Sequence, residues 1–187
     1  MTKTLSFLLA GLLALGSASA QTVKLQTSVG DILIELNAEK APKSVANFVQ
    51  YVKAGHYNGV IFHRVIPTFM VQTGGYDAKL NQRPTKPPIP LEAQNGLSNV
   101  RGSVAMARTN DPNSATSQFF INVADNASLN GEPGSPATGY AVFGQVVEGM
   151  DVVEKIRVAE TTSAGMHQNL PAKPIFINKA VIEPAKK

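Results

Sequence analysis

Residues 60–75 read VIFHRVIPTFMVQTGG, and the chemistry of the chain concentrates there. Arg64 sits among Ile61, Phe62, Val65 and Ile66, so its head group must emerge at the edge of an apolar body. A guanidinium is permanently charged and presents several N–H donors in a planar fork. It can hold an acceptor or a lone pair, but it neither attacks nor gives up a proton. Phe69 and Met70 follow with an aromatic face and a soft thioether, and Gln72 adds an amide. Together these residues suit a site that needs a fixed cationic donor beside an apolar floor. They also suit an ordinary barrel strand and turn in which Arg64 caps a surface.

Other chemistries have less support. The chain has no cysteine, which removes both a disulfide framework and a thiol nucleophile. Its three histidines, His56, His63 and His167, show no ligand spacing, so no metal site is expected. The formal charge of +4 comes from scattered basic residues without a cluster, which speaks against nucleic-acid binding.

The elements that must position Arg64 can be read from periodicity. Residues 22–28 and 31–37 read as strands joined at Val29-Gly30, with Ile32, Ile34 and Leu36 alternating against Asp31 and Glu35. Pro42 suits a first helical turn, and Val45, Phe48, Val49 and Val52 form one apolar stripe that Gly55 ends. Residues 60–66 and 69–73 are strands about a turn at Pro67. Residues 74–102, with four prolines between 84 and 90, form a surface excursion. Strands are expected over 103–108, 119–123, 141–147 and 174–183, one helical turn over 126–130, and a second helix marked by Met150, Val153 and Ile156. That is about eight strands and two helices, a mainly β chain able to close into a barrel with a helix over each open end.

The first twenty residues read differently. Lys3 precedes an apolar run over 5–15, and Ala18-Ser19-Ala20 gives the small-residue pattern of a secretory cleavage site. The run is short for a membrane span. The expectation is cleavage after Ala20, export to the periplasm without a stable membrane anchor, and a single domain over 21–187.

Three segments carry a resemblance: FHRVIPTFMVQ (62–72), SQFFI (117–121) and VFG (142–144), in that order. The chain resembles the cyclophilin-type peptidyl-prolyl cis-trans isomerases, in particular the periplasmic ones of Gram-negative bacteria, from about Val23 to Ile182. The resemblance implies a closed eight-stranded antiparallel barrel capped by two α-helices, with the site on its outer face. It implies Arg64 as the catalytic residue, and Phe69, Met70, Phe120 and Leu129 as a proline pocket. Gln72 would support the arginine, His63 and Gln118 fall at site positions, and Ala107, Arg108 and Thr109 would lie along the substrate backbone. Tyr140 stands where other members carry a histidine. Ser128 stands where many eukaryotic members carry a tryptophan, which implies weak cyclosporin binding. Thr68 replaces the usual glycine after Pro67.

The implied reaction is rotation about X-Pro bonds in unfolded or partly folded polypeptides, with no cofactor and with the protein acting as a monomer. Two other readings fit less well. A prolyl-peptide-binding module would need the pocket but not Arg64. A lipocalin-like barrel would need an open interior, which the bulky Phe62, Phe119, Phe143, Ile32 and Ile34 oppose.

Overall fold

The alternation over residues 22–36 builds the first hairpin. Strands β1 (Thr22–Thr27) and β2 (Gly30–Leu36) pair antiparallel, from Thr22 opposite Glu35 to Thr27 opposite Gly30. The computed structural model describes residues 21–184; the expected leader and the last three residues lie outside the described residues. Gly30 adopts φ +134°, and a Cβ there would stand 2.6 Å from Val152 Cγ2. The turn and the close approach of the second helix both require glycine.

Helix α1 (Pro42–Lys53) buries Val45, Phe48 and Val52 of the stripe expected from sequence, and Val49 is partly buried against the same core. Its N-cap, Ala41, offers no side-chain acceptor. The acceptor comes instead from the excursion: the N–H groups of Lys43 and Ser44 donate to the Glu92 carboxylate at 3.0 and 2.8 Å, and the Ser44 hydroxyl donates at 2.7 Å. An anion at a helix N-terminus also meets the positive end of the helix dipole. Glu92→Ala is therefore expected to cost about 1–2 kcal/mol, as loss of a local cap does. Urea unfolding measures this; an unchanged midpoint would remove Glu92 as the cap.

The remaining elements are β3 (Val60–Ile61), β4 (Arg64–Ile66), β5 (Met70–Thr73), β6 (Ser103–Met106), β7 (Phe119–Asn122), β8 (Val142–Glu148), helix α2 (Met150–Arg157), β9 (Thr161–Ala164), β10 (His167–Pro171) and β11 (Phe176–Glu183). A 3-10 turn, Ala127–Leu129, occupies the expected helical turn. Among the described residues, nine strands form one antiparallel sheet in the order β3-β11-β1-β2-β8-β6-β7-β5-β4. The expected count of eight is thus corrected to nine, because the strand expected over 60–66 is interrupted at Phe62 and His63. These two halves are the two ends of the sheet. Across the interruption, the Phe62 N–H donates to the Ile175 carbonyl and the His63 N–H to the Gln72 carbonyl, both near 3 Å. Successive N–H groups of one segment thus reach opposite neighbours, and the curled sheet meets itself there.

The interior is filled. Phe48 lies 5.3 Å from Tyr57, 5.2 Å from Phe119 and 5.1 Å from Phe143, centroid to centroid. Ile32, Ile34 and Phe62 are fully buried with them. An open ligand-carrying barrel is excluded. One element was not expected: β9 and β10 form a short hairpin that packs against β4.

Candidate active site

Strand alternation sorts the site residues from the core. Val65, Val71, Val104, Phe119, Ile121 and Phe143 point into the barrel. Their neighbours Met70, Ala105, Phe120 and Val142 form a separate apolar cluster on the outer face, with Phe69, Ala107, Leu129 and Tyr140 packed against it. This is the period-two geometry of a strand, with both faces in use.

Register then sets the site in a line. Arg64 is opposite Gln72, Gln72 opposite Phe120, Phe120 opposite Ala105, and Ala105 opposite Val142. The row crosses five strands and changes character along its length, polar at the Arg64 end and apolar from Phe120 onward. Beside it lies a cavity of about 100 Å³ lined by Arg64, Phe69, Met70, Gln72, Ala107, Arg108, Phe120, Leu129 and Tyr140. A cavity of about 150 Å³ holds a benzene-sized ring. The smaller volume here suits a ring of five atoms.

Polar contacts fix the rim. The Gln72 amide donates to Gln118 Oε1 at 2.9 Å, and Arg64 Nη1 reaches Gln72 Oε1 at 3.5 Å. Gly75 leaves room for Gln118, since a Cβ there would stand 2.7 Å from its Cδ. Arg108 donates to the carbonyls of Gly139 and Thr109, both at 2.9 Å, and lies 4.8 Å over the Tyr140 ring. Tyr140 meets Phe120 edge-on at 5.6 Å. Of the twelve residues expected from sequence, nine line the cavity. Gln118 braces Gln72 from behind, Thr109 is exposed beside Arg108, and His63 is buried next to Arg64.

Comparison with known proteins fits this arrangement. The family described as cyclophilin type peptidyl-prolyl cis-trans isomerase/CLD matches residues 22–182. The chain belongs to the cyclophilins. A peptidyl-prolyl cis-trans isomerase of Acinetobacter baylyi is 53% identical over 178 residues, covering 95% of this chain and 94% of that protein. Peptidyl-prolyl cis-trans isomerase A of Dickeya dadantii is 54% identical over 169 residues, covering 90% and 88%. A crystal structure of a Cryptosporidium parvum cyclophilin, determined in the presence of the dipeptide Ala-Pro, superposes with a TM-score of 0.73 at 27% identity. That match covers 88% of this chain and 99% of the other. This cyclophilin is a peptidyl-prolyl cis-trans isomerase.

Sequence reasoning missed what holds the cyclophilin pocket in place. Behind it, Asn99, Asn122 and Asn126 form a buried amide network. Asn122 donates to Asn99 Oδ1 at 3.1 Å and to Ser103 Oγ at 2.9 Å. Asn126 donates to Asn122 Oδ1 at 2.7 Å and to the Phe69 carbonyl at 2.8 Å. Asn99 in turn donates to the carbonyls of Leu129 and Tyr140. Three pocket residues from three separate segments are thus tied by backbone to one network. Amides joining loops follow no period, so only their count between 95 and 130 hinted at it.

His63 has an electrostatic role beside Arg64. Burial, then the field of His167, hold its pKa down to about 4, against the pull of the Ile61 backbone and Gln118 toward protonation; Arg64 adds to the depression. The ring is neutral at pH 7 and places no second positive charge next to Arg64. The unfolded chain takes up this proton below about pH 6.5, whereas the folded protein resists until about pH 4. Stability from this group is therefore complete above pH 6.5 and is lost as pH falls toward 4. The expected loss between pH 7 and 4.5 is roughly 2–3 kcal/mol by urea unfolding. His63→Phe is expected to remove most of that slope; an unchanged slope would assign it elsewhere.

Proposed function

We propose that this cyclophilin accelerates X-Pro rotation in exported polypeptides by binding the twisted amide, with Arg64 as donor. Amide resonance sets a barrier of about 18–20 kcal/mol. At the twisted transition state resonance is lost, and the prolyl nitrogen gains a usable lone pair. A donor aimed at that nitrogen favours the transition state over the planar ground state, which is how a rate increases. Phe69, Met70, Phe120 and Leu129 grip the pyrrolidine ring while the acyl side turns. They also exclude water, which strengthens the bond from Arg64. Ala107, Arg108 and Thr109 flank the substrate backbone. No nucleophile or proton transfer enters.

The observation that carries this reading is the cross-strand row, which sets Arg64 and Gln72 at one edge of a cavity walled by Phe69, Met70, Phe120 and Leu129. The test is the cis-to-trans rate of an X-Pro peptide with protein lacking residues 1–20. Saturable acceleration is expected. Binding without acceleration would make the protein a prolyl-peptide-binding module.

The leader-like first twenty residues support export to the periplasm, where unfolded chains arriving through the membrane would be the substrates. No helix among the described residues is long and apolar enough to cross a membrane. Ser128 is exposed on the 3-10 turn and absent from the pocket lining, so the site has no indole there and cyclosporin should bind weakly. The proposed working state is a monomer.

A further inference from the structure

Beside the proline pocket, the β9–β10 hairpin and β4 enclose a second cavity of about 250 Å³. It is lined by His63, Arg64, Met166, His167, Gln168 and Asn169, so the two cavities share Arg64. A guanidinium has five N–H donors, and different edges of its fork can face each cavity. Its contact to Gln72 Oε1, at 3.5 Å, is long for a charge-assisted hydrogen bond. His63 is 5% exposed, and its Nδ1 has no hydrogen-bond partner among the described residues. The ladder slips between His167 and Leu170, taking Gln168 and Asn169 out of register, with Asn169 at φ +57°. A bulge of this kind re-aims side chains next to a site. The lining therefore offers a fixed cation, a second imidazole and two amides, with no carboxylate.

A donor-rich cavity with a built-in cation complements a carboxylate. Because Arg64 lines both this cavity and the proline pocket, an occupant here would sit beside the bound proline and belong to the same polypeptide. We infer that this cavity is a subsite for an acidic side chain of the substrate, on the Arg64 side of the proline. The inference rests on the isomerase reading above. Only one flank of the proline can use it, because Arg64 stands at one end of the cross-strand row and Ala105 and Val142 at the other.

The experiment is kcat/KM at low ionic strength for two peptide series. One carries Glu, Gln or Lys immediately after the proline, the other immediately before it. In one series only, Glu is expected to exceed Gln by about three- to fivefold, the scale of a partly exposed ion pair, with Lys below both. Gln168→Glu places a carboxylate in the lining at an exposed position, and should reverse the Glu-to-Lys ratio in that series. Equal rates across both series would overturn the subsite and leave the isomerase intact. So would a preference present in both series, or one untouched by Gln168→Glu, since either would reflect overall charge. If no peptide were turned over, the isomerase reading and the subsite would fall together.

Discussion

Arg64→Ala is expected to lower kcat/KM for an X-Pro peptide by about 10²–10³-fold, the cost of removing one donor aimed at charge that develops in a transition state. The folded protein should survive the change. Arg64 is half-buried, and the one hydrogen bond from its head group recorded among the described residues is the 3.5 Å contact to Gln72. Removing it leaves no strongly held partner behind, so the unfolding midpoint should shift by less than about 1 kcal/mol equivalent. Arg64→Lys sharpens the test. Lysine keeps the charge but loses the planar fork, so activity should fall between the wild type and the alanine variant. Wild-type turnover by Arg64→Ala would place the transition-state donor elsewhere, and the mechanism would be wrong.

The largest expected stability effect lies on the other face of the same sheet. Phe48 projects from α1 into the barrel, fully buried, with the Tyr57, Phe119 and Phe143 ring centroids 5.3, 5.2 and 5.1 Å from its own. Phe48→Ala removes a ring that three others cannot collapse to replace, because each is fixed on its own strand or loop. The expected cost is about 3–5 kcal/mol. That is a large part of the roughly 5–15 kcal/mol that holds an ordinary domain folded. Urea unfolding should show the loss, while the outer-face pocket keeps near-normal peptide turnover wherever the variant remains folded. A loss below about 1 kcal/mol would mean that the barrel repacks freely around α1.

These two residues mark what the sequence does and does not reveal. Phe48 is legible because α1 repeats its apolar residues with helical period, and Phe119 because β7 stands between a polar loop and a polar turn. The outer-face positions of Met70 and Phe120 follow once their neighbours Val71 and Ile121 are assigned to the core. The interruption at Phe62 and His63 was not legible, since both residues suit an unbroken strand. Neither was the β9–β10 hairpin: Thr161–Ala164 is largely exposed, and without a buried face there is no alternation to read. The Glu92 cap and the asparagine network join residues far apart in the chain, which no local pattern encodes. His63 and His167 show the same limit, distant in sequence yet 6.3 Å apart between ring centroids. Arg64, Phe69 and Gln72 stand out as an unusual local mixture of residue types.

The meeting of β3 and β4 bears on what kind of surface can safely handle unfolded chains. An exposed sheet edge is a row of unpaired N–H and C=O groups, ready to recruit any extended backbone that touches it. A protein acting on loose polypeptide, as proposed above, would encounter such backbone at every turnover. Here the two terminal strands of the main sheet are successive parts of one segment: Ile61 and His63 donate across to Tyr76 and Gln72, and the β9–β10 hairpin lies against β4. The large sheet thus presents no long free margin on which a client could nucleate β-aggregation. On the function proposed above, a substrate is met by side chains at a pocket instead of by a free strand edge.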